Sequence, residues 1–150
     1  MGILLKDIFD PQAIILNLRG KTKGEAFIEL SKALAAASPE CDTAAVVEAL
    51  WEREKKMSTG VASGVAIPHA TYRGLKNAIG AIGISKTGIE YGALDDKPVY
   101  VIFMLVLGEP AEESHLRILN QISRLAHSEA LALVRDAKTV QDISAILSRF

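Results

Sequence analysis

Val99-Tyr100-Val101-Ile102-Phe103-Met104-Leu105-Val106-Leu107 is an unbroken apolar run of nine residues. A helix that crosses a membrane needs roughly twenty such residues, so the run is too short to span one. It also lacks the apolar and polar alternation of a strand wetted on one side. Residues 99–107 therefore predict a strand covered on both faces, as in an α/β sandwich.

The segments on either side fit that layering. Asp95-Asp96-Lys97-Pro98 supplies the turn that leads in, and Ala78 to Ser85 reads as a further β run, broken by Gly80 and Gly83. Near the start, Ala13 to Leu16 predicts a short strand. Thr22 with Glu25 three residues on is a capping-box pattern, after which Phe27, Leu30, Leu34 and Ala37 recur at helical spacing. Pro39 closes that helix, Asp42 or Thr43 can cap the next, and Val46, Leu50 and Arg53 fall along one face of it. Downstream, Gly108-Glu109-Pro110 ends the buried strand. A helix from about Glu112 then turns Leu116, Leu119, Ile122 and Leu125 inward. A short helix after Ser128 and a last one from Thr139, with Val140, Ile143, Ile146 and Phe150 on one side, complete the chain. The expected architecture is α/β, a mixed β-sheet with helices packed on both faces in a three-layer sandwich, formed by residues 1–150 as one domain.

Composition narrows the function classes. Of 150 residues 49% are hydrophobic, enough for a two-sided core without metal or disulfide staples. Seventeen Lys and Arg are scattered among 18 Asp and Glu for a net charge of −1, so no basic stripe forms and neither nucleic acid nor an anionic membrane is an expected partner. The single cysteine, Cys41, excludes an internal disulfide and fits a reducing, cytoplasmic setting. The N-terminus carries no export pattern, and Lys6 stands where a myristoylation motif wants Ser or Thr.

The residues that suggest chemistry lie in Ser58-Thr59-Gly60-Val61-Ala62-Ser63-Gly64-Val65-Ala66-Ile67-Pro68-His69. Gly60 and Gly64 relax the backbone on either side of Ser63, Val65 to Ile67 reads as a short buried strand, and Pro68 fixes φ just before His69. The imidazole is thus delivered at the end of that strand by rigid backbone. A core or turn histidine that merely satisfies its hydrogen bonds would give the same local pattern. His115 falls near the N-terminus of the predicted third long helix, where free N–H groups and the positive dipole end attract anions and a neutral, donating ring is favoured. It could equally be a surface histidine beside Glu112 and Glu113. Arg53 sits where an apolar residue is expected, either as an anion-binding fork or as a snorkelling charge at the helix end. His127 reads as solvated surface.

Other chemistries lack their patterns. His115 and His127 are twelve residues apart and no His-x-x-x-His or Cys-x-x-Cys pair occurs, so no metal is expected. The serine-hydrolase elbow and the glycine patterns of nucleotide binding are missing, and no cofactor is expected. What remains is histidine as a nucleophile. A neutral imidazole can accept a phosphoryl group, whose charge then wants an arginine fork, backbone N–H donors and a second neutral donor. Arg53, the glycine loop with Thr59, Ser63 and Gly64 as phosphate-binding candidates, and His115 are residues of those kinds.

Four segments carry a resemblance: 51–60 (Trp-Glu-Arg-Glu-Lys-Lys-Met-Ser-Thr-Gly), 64–69 (Gly-Val-Ala-Ile-Pro-His), 93–99 (Ala-Leu-Asp-Asp-Lys-Pro-Val) and 114–119 (Ser-His-Leu-Arg-Ile-Leu). With His69 sixteen positions after Arg53, and a second histidine after the long strand, the chain resembles the fructose/mannitol-type enzyme IIA domain of the bacterial phosphotransferase system, a family that includes nitrogen-regulatory members. The resemblance implies that His69 is phosphorylated and that Arg53 and His115 line its pocket. It implies a phosphotransferase that takes phosphate from the histidine-containing phosphocarrier protein and passes it to an enzyme IIB. The alternative is a regulatory role in which the phosphorylation state controls binding to a transporter or kinase. Ala62 and Ala70 stand where glycine is frequent in the family and Ser63 occupies a position that varies among its subfamilies, and all three bear on the subfamily. The chain stops at Phe150 with no trailing linker, which predicts a freestanding subunit.

Overall fold

The computed structural model describes residues 4–109 and 113–150, so Met1 to Ile3, and Pro110 and Glu112 of the predicted break and helix start, lie outside the described residues. After a single 3-10 turn at Leu5–Asp7, the elements are β1 (Phe9–Ile15), α1 (Lys23–Ala37), α2 (Thr43–Glu54), β2 (Gly60–Ala62), β3 (Val65–Ala66), β4 (His69–Tyr72), β5 (Ile79–Ile89), β6 (Val99–Gly108), α3 (Glu113–Ala126), α4 (Ala130–Arg135) and α5 (Val140–Leu147). The strands form a mixed sheet in the order β1-β5-β6-β3-β2, with β4 also paired to β6.

The apolar run predicted to be covered on both faces is β6. It runs antiparallel to β5 and parallel to β3 and β4. Ile102, Met104 and Val106 enter the core under α1 and α2, with Phe27, Leu30, Leu34, Val46 and Leu50. Val101, Phe103, Leu105 and Leu107 enter the other core, with Ile118 and Ile122 of α3, Val134 of α4 and Ile143 of α5. Helices therefore cover both faces of the mixed sheet, giving the three layers expected from the sequence.

The capping box forms as its spacing predicts: Thr22 Oγ1 accepts from the Glu25 N–H at 3.3 Å, and Glu25 Oε1 accepts from the Thr22 N–H at 3.2 Å. Asp42 caps α2 by accepting from the Ala45 N–H at 2.9 Å. Three details differ from the sequence reading. β1 begins at Phe9 instead of Ala13, because Asp10-Pro11-Gln12 is carried as an irregular stretch of the first strand in the order, where a missing proline N–H is tolerated. Gly80 and Gly83 do not break β5; they let neighbours approach closely, since a Cβ on Gly80 would fall 2.7 Å from the Met104 carbonyl oxygen and one on Gly83 would strike Leu18. Leu116 does not face inward but is 60% exposed. At 3.6 residues per turn, the nine residues from Leu116 to Leu125 carry the chain about two and a half turns, so the two point to opposite sides. The buried stripe is Ile118, Ile122, Leu125 and Ala126.

Candidate active site

His69 is the first residue of β4 instead of the last of the preceding strand. β3 pairs Val65 with Val101 and β4 pairs His69 with Leu105, so the offset against β6 is unchanged across Ile67 and Pro68. The two are one strand path interrupted where Pro68 has no N–H to give, although its carbonyl still accepts from the Leu105 N–H at 2.9 Å. Pairing with Leu105 puts His69 on the sheet face that carries α3, and β4 has its only strand partner in β6 among the described residues. The half-buried ring thus stands at a margin of the sheet.

Its tautomer is fixed by one bond. His69 Nδ1 lies 2.9 Å from the Ile67 carbonyl oxygen, and because a carbonyl can only accept, Nδ1 carries the proton and Nε2 the lone pair. Burial pushes the His69 pKa below its ordinary value, and the Arg53 charge acts in the same direction; the Ile67 bond and the Glu54 charge oppose them without reversing the shift. The ring is held neutral and basic at Nε2, as a nucleophile requires.

Arg53 and His69 meet in one open cleft of about 600 Å³, whose wall includes Glu48, Glu52, Lys56 and Glu109. Arg53 is half-buried near the C-terminus of α2, and its Nη1 donates to the Met57 carbonyl at 2.8 Å. That bond fits the reading of Arg53 as a helix-end charge, while the side chain also lines the cleft beside His69. His115 lies half-buried in the first turn of α3, on the sheet face to which His69 belongs. His127 is exposed, with Nδ1 on the Ser123 carbonyl at 2.7 Å.

The three phosphate-binding candidates lie elsewhere. Ser63 and Gly64, both with positive φ at the β2–β3 turn, line a separate recess of about 410 Å³ with His127, Ser128 and Arg135. Thr59 is buried at 4% exposure and its polar atoms are engaged: its N–H donates to Glu54 Oε2 at 2.9 Å, and its hydroxyl donates to Glu54 Oε1 at 2.7 Å. Spacing along the chain brought these residues near His69 in sequence, but the hairpin turns them aside.

Glu54 is the residue that sequence reasoning missed. Its side chain is 2% exposed and pairs with Lys23 Nζ of α1 at 2.9 Å. Burial raises its pKa, but the bonds from Thr59 and Lys23 outweigh that and hold it below the usual carboxylate range. The Tyr91 hydroxyl lies 2.7 Å from Thr59 Oγ1 and 3.5 Å from Glu54 Oε1, and burial pushes its pKa up. Since the Thr59 proton goes to the carboxylate, Tyr91 donates to Thr59. The available signal was an acid in the last turn of a helix, against the negative end of the dipole.

A mixed sheet between helix layers, with a neutral imidazole and a guanidinium sharing one cleft, defines an α/β domain equipped to handle an anionic group. Residues 7–150 match the family described as phosphoenolpyruvate-dependent sugar phosphotransferase system, EIIA 2, and the chain belongs to that phosphocarrier family. It is 32% identical over 146 residues to a nitrogen regulatory protein of Pseudomonas aeruginosa, covering 97% of this chain and 95% of that one. It is 34% identical over 127 residues to the fructose-specific EIIABC component of Bacillus subtilis, covering 85% of this chain but spanning only 20% of that protein's length. The crystal structure of nitrogen regulatory protein IIA-Ntr from Neisseria meningitidis superposes with a TM-score of 0.86 at 31% identity, over 95% of this chain and 97% of that one. The Escherichia coli mannitol IIA, solved in complex with phosphorylated IIB, shares the fold with a TM-score of 0.74 at 16% identity, over 95% of this chain and 100% of that one. Among the described residues no helix is long and apolar enough to cross a membrane.

Proposed function

We propose that the chain is a phosphohistidine carrier that takes a phosphoryl group from the histidine-containing phosphocarrier protein and passes it to an enzyme IIB. His69 Nε2 attacks phosphorus in line; its bond to phosphorus forms as the donor's imidazole–phosphorus bond breaks and the donor ring leaves. Transfer onward reverses this at a cysteine or histidine of IIB. Arg53 stabilises charge on the transferring oxygens, and His115 donates a hydrogen bond to them. The single supporting observation is the bond from His69 Nδ1 to the Ile67 carbonyl, which leaves Nε2 unprotonated on a ring kept neutral. The mannitol relative's complex with phosphorylated IIB supports the acceptor class. In this reading the protein works in the cytoplasm.

A second reading is favoured by the superposition on the nitrogen-regulatory IIA, which is closer than that on mannitol IIA from Escherichia coli, whose crystal structure gives a TM-score of 0.70. There the phosphorylation state of His69 controls binding to a transporter or kinase. One experiment tests both: phosphorylate the protein through the general phosphotransfer proteins and offer it a panel of IIB domains. Transfer to one of them supports the sugar route, label that stays on His69 supports regulation, and no label on wild-type protein refutes both.

A further inference from the structure

The cleft takes its two principal side chains from different elements, the Arg53 guanidinium from α2 and the neutral His69 ring from the edge of the sheet, yet both are tied to one residue on neither the cleft wall nor the surface. Glu54 Oε2 receives the Thr59 N–H at 2.9 Å. The Thr59 carbonyl receives the Ile67 N–H at 3.0 Å. The Ile67 carbonyl receives the His69 Nδ1 proton at 2.9 Å. Three consecutive bonds therefore run from the carboxylate through two residues to the imidazole. On the other side, Glu54 and Thr59 are the two ends of the turn that follows α2, and the Arg53 guanidinium is fastened inside that turn, to the Met57 carbonyl.

Placing an anion here is unfavourable by itself. The carboxylate is nearly out of water and sits at the C-terminal end of a helix, where the dipole repels negative charge. Lys23 offsets the charge, and its ammonium also lies 4.5 Å above the Tyr91 ring. Tyr91 and Thr59 add a directed hydroxyl chain that ends on Glu54 Oε1. A buried ion pair of this kind contributes little net stability compared with an apolar pair of similar size, so geometry is the better account of it.

We infer that Glu54 is the positioning residue of the site, a clamp that holds the His69 ring in its Nδ1–H tautomer and Arg53 in reach of the same phosphoryl group. The inference rests on the proposed phosphocarrier role, which it deepens. Glu54 touches no substrate. It acts through Thr59, which explains why a threonine beside the glycine loop is buried instead of lining the cleft.

Two variants separate the clamp from a purely structural part. In Glu54→Gln the amide oxygen can take the Thr59 N–H and Lys23 while its NH₂ donates to Thr59 Oγ1, so the clamp survives without the charge. In the double variant Lys23→Met with Glu54→Leu the clamp is gone and no ion is left unpaired, though the buried Thr59 N–H loses its acceptor, so the dispersion of its amide spectrum is read first to establish that it folds. Nitrogen-15 spectra of the His69 ring and single-turnover transfer from the phosphorylated carrier protein are then measured on each. The double variant should mix its ring tautomers and lose about 100-fold in transfer rate at saturating donor, the order expected when a reacting group is displaced by about 1 Å, with KM within threefold because neither replaced residue lines the cleft. Glu54→Gln should keep one tautomer and a rate within threefold of wild type. A folded double variant with the wild-type tautomer or a rate within threefold overturns the clamp. So does a Glu54→Gln that falls as far as the double variant, since charge and not geometry would then carry the effect. If wild-type protein takes no phosphate, the phosphocarrier reading fails, and the tautomer spectra alone decide the clamp.

Discussion

Replacing Arg53 by alanine tests the electrostatics of the cleft. The guanidinium has five N–H donors, of which one is spent on the Met57 carbonyl, so four remain for the transferring group. A forked contact uses two. Each charge-assisted bond contributes about 1.5 to 3 kcal/mol, and because Arg53 is half-buried in an open cleft the lower figure applies. The loss is then about 3 kcal/mol, or roughly 100-fold in single-turnover transfer measured by rapid quench. Arg53→Lys keeps a point charge but not the fork, and should recover about half of that free energy, leaving roughly a tenfold deficit. A second readout comes from the same variant. Removing the Arg53 charge should move the His69 titration upward, while burial, the larger cause, still keeps it below the ordinary histidine value. Arg53→Ala that transfers at the wild-type rate would reduce the residue to a helix-end charge; a His69 titration that moves downward would refute the electrostatic argument itself.

Other outcomes follow from the same geometry. His69→Ala should fold yet accept no phosphate, and acid-labile phosphate at wild-type level on that variant would sink the assignment. His115→Ala should slow transfer by roughly 100- to 1000-fold, with phosphate still recovered on His69; a rate within threefold, or phosphate found on His115, would remove its role as a donor. The depressed pKa of His69 means that the unfolded chain takes up a proton before the folded one does, so its contribution to stability is present above about pH 6.5 and is lost as pH falls through the folded value. Urea melts of wild type against His69→Gln should therefore converge or cross on acidification, and a wild type that gains relative stability there contradicts the shift. Ile118→Ala should cost about 2 to 5 kcal/mol in the same melts and Leu116→Ser under about 0.5, because the first is buried and the second exposed.

The layering was legible because β6 is covered on both faces and its sequence shows it as a run without alternation. The helix starts at Thr22 and Asp42 were legible because capping is a local hydrogen-bond problem solved within three residues. His69 and Arg53 stood out as polar residues in apolar settings. What the sequence concealed depends on contacts between distant segments. Leu116 fails because leucines three apart look like a stripe until the helical angle is followed through to Leu125. Thr59, Ser63 and Gly64 do not line the cleft of His69, because nearness along the chain says nothing about which way the hairpin turns Ser63 and Gly64 or that Glu54 holds Thr59. Glu54 meets Lys23 from 31 positions away and Tyr91 from 37, and no periodicity links them.

In the proposed carrier role, the half-burial of His69 answers two opposed requirements. Deep burial would keep the ring neutral and nucleophilic, but it would also penalise the roughly doubly charged phosphoryl product more heavily than one arginine can offset. Full exposure would let the ring protonate near neutral pH and block attack. At a sheet margin the backbone side of the ring is dry and bonded through Nδ1, while the other side opens on a cleft that holds Arg53 together with Glu48, Glu52 and Glu109. Those carboxylates raise the cost of a resident phosphate, and Arg53 and Lys56 lower it. A phosphoryl group held under such opposing charges would be neither trapped nor excluded, which is the balance the proposed role asks of a site that accepts it from one protein and releases it to another.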